Sequence, residues 1–204
     1  MRTEAAVNES VIFAGLKPNF DFYFWMSTLF KKLHSSKLER KSIDEFHRSE
    51  KIPVIIILDN VRSMNNVGSV FRTADAFLLE GIVLCGYTPR PPHRDIQKTA
   101  LGATETVRWE YEENITSAIE RVKGLGFRVC AVEQTEGSTS LMDWTIQPEE
   151  KWALILGNEV EGVQDAALAL CDAVIEIPQS GMKHSLNISV AAGIVFWEVY
   201  KRYC

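Results

Sequence analysis

Three short segments of the chain combine polar side chains with glycine at points where an apolar run ends. The first, residues 59–72 (DNVRSMNNVGSVFR), follows the apolar run 53–58. The second is residues 154–162 (LILGNEVEG) and the third is residues 177–190 (IPQSGMKHSLNISV). Because ligands of open α/β sheets bind beyond the carboxyl ends of the strands, the first segment, which follows a predicted strand, is well placed to contact a ligand.

Arg72 is a charged side chain of the first segment that the sequence places outside the core. A helix predicted over 67–79 carries one apolar stripe, and at about 100° per residue Arg72 points about 140° away from its centre. Asn65 or Asn66 is placed to cap this helix, and Gly68 leaves room for a close backbone approach. The apolar stripe consists of Val67, Val70, Phe71, Ala74 and Leu78. A solvated arginine also explains the position of Arg72.

The second and third segments offer backbone groups and helix caps. The turn around Glu159 has bare amides and carbonyls that could hold an adenosine edge, although an ordinary strand-turn-helix explains the same pattern. Ser185 or Asn187 is a natural N-cap for a final helix. Capping does not explain the length of the polar loop before it. His184 could be a base, although a single loop histidine is more often solvated.

Several common motifs are absent from the sequence. Gly124-Leu125-Gly126 follows a helical pattern and precedes a strand, the reverse of the order in a Rossmann phosphate loop. There is no Walker A, His-Glu-x-x-His or Gly-x-Ser-x-Gly sequence. The four cysteines form no Cys-x-x-Cys pair, so we expect neither a zinc site nor a disulfide scaffold. This usage suits the reducing cytoplasm, where three of them are expected to be buried.

Apolar runs alternate with helical patterns from Lys51 onward, which predicts an α/β domain with a mainly parallel sheet flanked by helices. We assign residues 51–204 to this domain and residues 1–50 to a helical, basic extension. Residues 87–98 are predicted as a loop. The predicted strands are 53–58, 82–85, 106–109, 127–132, 152–156 and 173–177, and the predicted helices are 67–79, 115–122, 163–170 and 187–201.

Composition and charge restrict the class of protein. A chain of 204 residues with 46% hydrophobic and 24% charged residues is typical of a soluble globular domain. No apolar run reaches the ~18 residues of a membrane span. The net charge of −5 does not favour a broad nucleic-acid surface. Residues 31–51 nevertheless hold seven basic and four acidic residues, against 13 and 20 in residues 52–204, so any nucleic-acid contact is expected to be local.

Taken together, the three segments resemble the motifs of the SpoU (TrmH-like) family of RNA ribose 2′-O-methyltransferases, within the SPOUT superfamily. The first matches Asn-x-Gly-x-x-x-Arg at 66–72, and the second matches Gly-x-Glu-x-x-Gly at 157–162. The third matches Ile-Pro…Ser-Leu-Asn-x-Ser at 177–189, and residues 98–103 look like the family's small-residue loop. The resemblance covers residues 53–202.

This resemblance implies a fold, a cofactor and an assembly. The implied fold is the α/β sheet with a C-terminal trefoil knot, which periodicity alone would never suggest because knots are nearly absent from proteins. The implied cofactor is S-adenosylmethionine, held in a bent form largely by backbone groups at Leu156, Gly157, Ile177 and Leu186. The implied partners are RNA and a second copy of the chain, with the site close to the interface of a homodimer.

The resemblance also implies a catalytic set. In the family, the counterpart of Arg72 is proposed to be the base that takes the ribose proton. Because a guanidinium almost never deprotonates, a phosphate clamp that orients the ribose is the physically easier role. The rest of the implied set is Asn66, Glu159, Ser185 and Asn187.

The expected reaction is methyl transfer to a ribose 2′-hydroxyl. Ribosomal-RNA members of the family often carry a separate N-terminal RNA-binding domain, and only about 50 residues precede this domain. A transfer RNA is therefore the expected substrate, with a guanosine of the D-loop as the best guess by analogy. The alternatives are a ribosomal-RNA 2′-O-methyltransferase, an RNA base methyltransferase and a catalytically silent RNA-binding relative. The complete set of motif residues counts against the last.

The local excess of basic residues within 31–51 generates a prediction about RNA binding. If about three phosphates are contacted there, log affinity should fall against log salt with a slope of roughly −2 to −3. Replacing Lys37, Arg40 and Lys41 with alanine should flatten this slope and weaken RNA binding in a filter or fluorescence titration. Cofactor affinity is the control and should stay constant.

An unchanged slope in the triple variant would show that the RNA is held elsewhere. The other basic candidates are Arg90, Arg94 and Lys98, which with His93 lie in the predicted loop.

Overall fold

The computed structural model describes residues 32–34, 40–183 and 185–204. Lys37 and His184 lie outside the described residues. Residues 41–204 form one compact unit, whereas the predicted domain boundary fell at residue 50. The short helix Ile43–Arg48 (α1) belongs to this unit: Ser42 and Glu45 form its capping box, and Phe46 is buried in the core.

The centre of the fold is a seven-stranded sheet whose strand pairs are all parallel. This confirms the predicted α/β class with a mainly parallel sheet. The order across the sheet is β3-β2-β1-β6-β4-β7-β5. The strands are Ile52–Asp59 (β1), Leu79–Cys85 (β2), Trp109–Glu112 (β3), Arg128–Val132 (β4), Thr139–Ser140 (β5), Trp152–Leu156 (β6) and Ala173–Glu176 (β7).

Helices cover both faces of the sheet, which explains why the central strands are continuous apolar runs. Alternate residues of β1 point to opposite faces: Val54, Ile56 and Leu58 join one core, whereas Ile55 and Ile57 join the other. The remaining helices are Met64–Ala76 (α2), Arg94–Ala100 (α3), Ala103–Thr106 (α4), Ile115–Gly124 (α5), Asp165–Leu168 (α6) and Ile188–Tyr203 (α7). The first core contains residues of α2, α3 and α7, and the second contains residues of α5 and α6.

Helix α2 differs from its prediction at both ends. Ser63 is the N-cap, and its hydroxyl accepts from the Asn66 amide at 3.3 Å, so the expected cap at Asn65 or Asn66 is wrong. The helix ends at Ala76, and Leu78 takes a left-handed conformation with φ 53°. Strand β2 consequently begins at Leu79, three residues earlier than predicted.

The region between β2 and β3 contains helices where a loop and a strand were predicted. His93 caps α3 by accepting from the Asp95 amide, and Ile96 and Ala100 bury one face of it. The expected strand at 106–109 is displaced, because Ala103–Thr106 form the helical turn α4 and β3 begins at Trp109. The apolar residues Ile96 and Ala100 of α3 are few and stand among proline and basic residues, so the sequence did not predict this helix.

Helices α2 and α3 approach each other closely at Gly68, where the sequence predicted a close backbone approach without indicating the partner. A methyl group at Gly68 would overlap the Ile96 carbonyl oxygen and the Thr99 hydroxyl of α3. The Thr99 hydroxyl also donates to the Asn65 carbonyl at 3.0 Å. Because α3 is held against α2 in this way, the basic residues of α3 are fixed relative to the first motif.

The cysteines behave as packing residues. Cys85 and Cys130 are buried, Cys171 is half-buried and Cys204 is exposed. Burial raises the pKa of the Cys85 thiol to about 12 and that of Cys171 to about 11. These two thiols therefore stay protonated at neutral pH and are poor nucleophiles. Among the described residues, no helix combines the length and the apolar character needed to cross a membrane.

Candidate functional site

The second and third motifs line one cavity of about 490 Å³ at the carboxyl ends of β4, β6 and β7. These three strands are neighbours in the sheet, so the loops that follow them meet at a single edge. The cavity wall contains all four expected cofactor residues, Leu156, Gly157, Ile177 and Leu186. It also contains Glu159, Ser185 and Asn187, whereas Asn66 and Arg72 do not line it.

One wall of the cavity is a tight loop closed on itself. The backbones of Asn158 and Gly162 bond to each other in both directions, at 2.9 and 3.0 Å. A side chain at Gly157 would overlap the backbone of Gly162 and Val163, and Gly162 has φ +72°. Both glycines of the motif are therefore required, the first by close approach and the second by its conformation. The Asn158 side-chain nitrogen donates to the Asn60 carbonyl at 2.8 Å, which links this loop to the end of β1.

Glu159 joins this loop to the first motif. Its carboxylate accepts from the backbone amides of Arg62 at 3.1 Å and Ser63 at 3.2 Å, the residues that lead into α2. It also accepts from the Asn66 side-chain nitrogen at 3.1 Å. The Asn66 side-chain oxygen then accepts from the Asn187 side chain at 3.2 Å. The structure thus brings Glu159, Asn66 and Asn187 together from three separate segments.

The hydrogen bonds keep Glu159 ionised. Burial is the largest single influence on its carboxyl group and would raise the pKa. The donors are, in order, the Arg62 amide, the amide of Glu159 itself, the Asn66 side chain and the Ser63 amide. Together they outweigh burial and hold the pKa below its ordinary value of 4.5. Both carboxylate oxygens are already occupied by donors, so Glu159 is suited to positioning.

Asn187 has two structural duties. It is the N-cap of α7, as the sequence allowed, and its side-chain oxygen accepts from the Ser189 amide at 2.9 Å and the Ser189 hydroxyl at 2.6 Å. Its side-chain nitrogen points the other way, to Asn66. The amide of Asn187 therefore couples the start of α7 to α2. Ser185, which also lines the cavity, is exposed and makes no hydrogen bond with the other described residues.

Sequence reasoning missed Glu133 and Asp59. Glu133 follows β4, lines the cavity and accepts from the Val163 amide at 3.0 Å. Asp59 is fully buried at the end of β1 and accepts from the Gln164 amide at 3.0 Å. Burial raises the pKa of Asp59 despite its hydrogen bonds from Gln164. The available signal was position, because each is a carboxylate at the carboxyl end of a buried strand.

Arg72 is exposed on α2, as its angle from the apolar stripe predicted. Within the described part of the chain it makes no hydrogen bond or ion pair. It lies six residues after Asn66, which corresponds to about 9 Å along the helix and about 120° around it. The arginine therefore does not complete the cavity of its own chain.

The expected RNA-binding residues also lie outside the cavity wall. Arg40, Lys41, Arg94 and Lys98 are exposed. Arg90 is exposed too, and its guanidinium lies 4.2 Å from the centre of the Tyr111 ring. These basic side chains are therefore exposed to solvent, whereas the expected cofactor residues all line the cavity.

A parallel α/β sheet with a cavity beyond three neighbouring strand ends, lined by two glycine-containing loops, is typical of an α/β protein that binds a small molecule. The model of the SpoU rRNA methylase family matches residues 53–197. The chain belongs to the SpoU rRNA methylase family. This confirms the resemblance that was drawn from the three motifs.

Relatives and solved structures agree with this family. A TrmH family tRNA/rRNA methyltransferase of Staphylococcus haemolyticus is 29% identical over 168 residues, which cover 80% of this chain. The chain spans 66% of the length of that relative. A TrmH/SpoU tRNA modifying enzyme of A. aeolicus is similar in structure with a TM-score of 0.70 at 25% identity, covering 78% of this chain and 80% of the other. An AdoMet-bound rRNA methyltransferase of Sinorhizobium meliloti has a TM-score of 0.68 at 27% identity, covering 81% and 62%.

The lowered pKa of Glu159 predicts a pH-dependent loss of stability in Glu159→Gln. Because the folded pKa is depressed, the ionised carboxylate stabilises the fold above its unfolded value near 4.5, and this contribution disappears as the pH falls through the folded value. The variant should unfold at lower denaturant concentration than the wild type at neutral pH. The gap should narrow below pH 4.5.

The matched control for this measurement is Glu161→Gln. The Glu161 carboxylate lines the same cavity but accepts no hydrogen bond from the described residues. Its denaturation midpoint should therefore stay close to that of the wild type. A gap for Glu159→Gln that is constant over the whole pH range would show that its ionisation does not stabilise the fold.

Proposed function

We propose that the chain transfers the methyl group of S-adenosylmethionine to a ribose 2′-hydroxyl of RNA. The observation that carries the proposal is the cavity at the carboxyl ends of β4, β6 and β7, whose wall contains all four expected cofactor residues. The bound AdoMet of the Sinorhizobium meliloti relative supports the cofactor. The free cysteines support a cytoplasmic location.

The cavity suits S-adenosylmethionine in size and charge. About 490 Å³ lies within the range of small-molecule sites, roughly 300–1,000 Å³. Glu133, Glu159, Glu161 and Glu176 line it and complement a cationic sulfonium. Leu156, Gly157, Ile177 and Leu186 would hold the cofactor, with backbone groups of the two glycine loops available as partners. The cofactor supplies the activated methyl group, so the chain must mainly align the acceptor oxygen.

The residues of the chain divide this work. Glu159 holds the start of α2 and the Asn66 side chain, and Asn66 holds Asn187 at the start of α7. These three residues therefore set the distance between the first motif and the cavity. Ser185 is exposed in the cavity wall with its hydroxyl free of the other described residues, so it is placed to contact the substrate.

Arg72 is proposed to clamp an RNA phosphate and so orient the ribose. Its permanent charge and planar fork suit a phosphate, and a guanidinium is a poor proton acceptor. Arg72 is exposed and does not line the cavity of its own chain. In a homodimer, Arg72 of one copy can instead reach the cavity of the other copy. We propose that the partner copy supplies this contact.

An apolar stripe on α7 supports the homodimer. Val190, Ile194 and Trp197 are exposed at helical spacing on a helix that begins at the cavity residue Asn187. Exposed apolar stripes of this kind mark interaction surfaces. A dimer through α7 would bring two cavities close to one interface.

A C-terminal trefoil knot is part of the same proposal. The segments that would form it are 154–162 and 177–189. Its support is the very close approach of Gly157 to Gly162 and the convergence of both segments on one cavity.

A transfer RNA remains the proposed substrate, with a guanosine of the D-loop as the specific target. The tRNA modifying enzyme of A. aeolicus supports this choice, because the matched region covers 80% of that chain against 62% of the rRNA methyltransferase. Basic residues on and before α3 are proposed to bind the RNA: Arg90, Arg94 and Lys98. Lys37, Arg40 and Lys41 are proposed to add the contacts of the basic segment.

Arg72→Ala tests this mechanism. Turnover of S-adenosylmethionine with total transfer RNA should fall about 100-fold or more, because the ribose loses its positioning contact. Arg72→Lys should not restore it, since a point charge does not reproduce the planar fork. Calorimetry should show unchanged cofactor affinity, and the melting temperature should stay the same.

Arg108→Ala is the matched control. Arg108 is also an exposed arginine, but it precedes β3 at the opposite edge of the sheet. Its activity should equal that of the wild type. Nearly full activity in Arg72→Ala would contradict the assigned role of Arg72.

A further inference from the structure

Tyr87 is an aromatic side chain that the fold displays in solvent. Its exposed fraction is 74%, and none of the aromatic contacts among the described residues involves its ring. Trp197 is the other aromatic residue among the exposed large apolar side chains of the described chain, but its ring packs against Phe77 and Tyr200. Leaving a whole ring in water forgoes the free energy that its burial would contribute.

The backbone around Tyr87 is held firmly by hydrogen bonds. The Tyr87 amide donates to the Asn60 side-chain oxygen at 3.0 Å, and the Gly86 amide donates to the Glu112 carbonyl at 3.1 Å. The next residue, Thr88, is buried, and its hydroxyl bonds the Leu58 carbonyl and the Val61 amide at 3.0 and 3.1 Å. A fixed turn therefore presents the Tyr87 ring.

This turn lies beside the candidate site. Asn60 bonds the Tyr87 amide with its side chain, and its carbonyl accepts from Asn158, which lines the cavity. Asn60 therefore links the Tyr87 turn to the cavity wall through one hydrogen bond on each side. It follows β2, so it shares the carboxyl edge of the sheet with the cavity.

Two exposed arginines lie on the segments that follow β1 and β2 at the same edge. Arg62 is exposed, and its backbone amide is held by Glu159. Arg90 is exposed three residues after Tyr87 and is steadied over the Tyr111 ring. An exposed ring next to arginines is the combination that binds an unpaired nucleotide, with the ring stacking on the base and the cations facing the phosphates.

We propose that Tyr87 stacks on a base of the substrate RNA, at or next to the methylated nucleotide. This inference rests on the proposed function and adds a residue that selects an unstacked nucleotide. It requires a ring and not the tyrosine hydroxyl. It also requires that the target nucleotide is single-stranded or extruded when it binds.

The test compares Tyr87 variants of the full chain in methyl transfer to total transfer RNA. Tyr87→Ala should raise the KM for RNA by roughly 5- to 160-fold, the range for losing one base stack. The KM for S-adenosylmethionine and the melting temperature should not change. Tyr87→Phe should keep the wild-type KM, whereas Tyr87→Leu should behave like Tyr87→Ala.

Leu125→Ala is the control for loss of an exposed apolar side chain. Leu125 is exposed and follows α5 at the opposite edge of the sheet, so its KM for RNA should equal that of the wild type.

Three results would overturn the inference while the wild type remains active. They are an unchanged KM in Tyr87→Ala, rescue by Tyr87→Leu, or a change of oligomeric state in Tyr87→Ala by light scattering. The last would mean that the ring covers a second copy of the chain. A wild-type chain that transfers no methyl group to any RNA would instead contradict the proposed function, and this inference with it.

Discussion

The Glu159 carboxylate is the contact on which the geometry of the candidate site depends. Glu159 lies in the loop that follows β6. The donors to its carboxylate from other residues all belong to the segment after β1: two backbone amides and the Asn66 side chain. The Asn66 side-chain oxygen in turn accepts a hydrogen bond from Asn187, the N-cap of α7. Three segments that are distant in sequence are therefore held within one hydrogen-bonded chain. Asn66 is the buried member of this chain of bonds, so removing the Glu159 carboxylate would leave the Asn66 side-chain nitrogen without this partner in a buried position.

This arrangement separates two kinds of residue at one edge of the sheet. The charged residues that line the cavity, from the ends of β4, β6 and β7, are all glutamates and suit a small cationic ligand. Exposed basic and aromatic side chains, which suit a nucleic acid, lie instead on α2, on α3 and in the turn after β2: Arg72, Tyr87, Arg94 and Lys98. The chain therefore needs no overall positive charge to act on RNA, and its net charge of −5 is compatible with the proposal.

The sequence predicted the buried parts of the fold well, because strand signals come from continuous apolar runs. Strand β6 has the predicted bounds, and Arg72 is exposed as its helical angle required. The errors lie where short side-chain contacts decide the outcome. Ser63 displaced the expected caps of α2, and His93 started a helix within the predicted loop. The bonds from Glu159 to Asn66 and from Asn66 to Asn187 span 93 and 121 residues, and no local pattern encodes such distances.

The central claim is that the methyl group is transferred to a ribose 2′-hydroxyl of RNA. The most direct test is to find which part of the nucleoside carries a methyl group from isotopically labelled S-adenosylmethionine. Total transfer RNA would be incubated with the full chain and isotopically labelled S-adenosylmethionine, digested to nucleosides and examined by mass spectrometry. The account predicts label in a 2′-O-methylated nucleoside, with the extra mass retained on the sugar fragment. Label on a base fragment would contradict it and would favour an RNA base methyltransferase. Cofactor binding without label in any RNA would favour a catalytically silent RNA-binding relative.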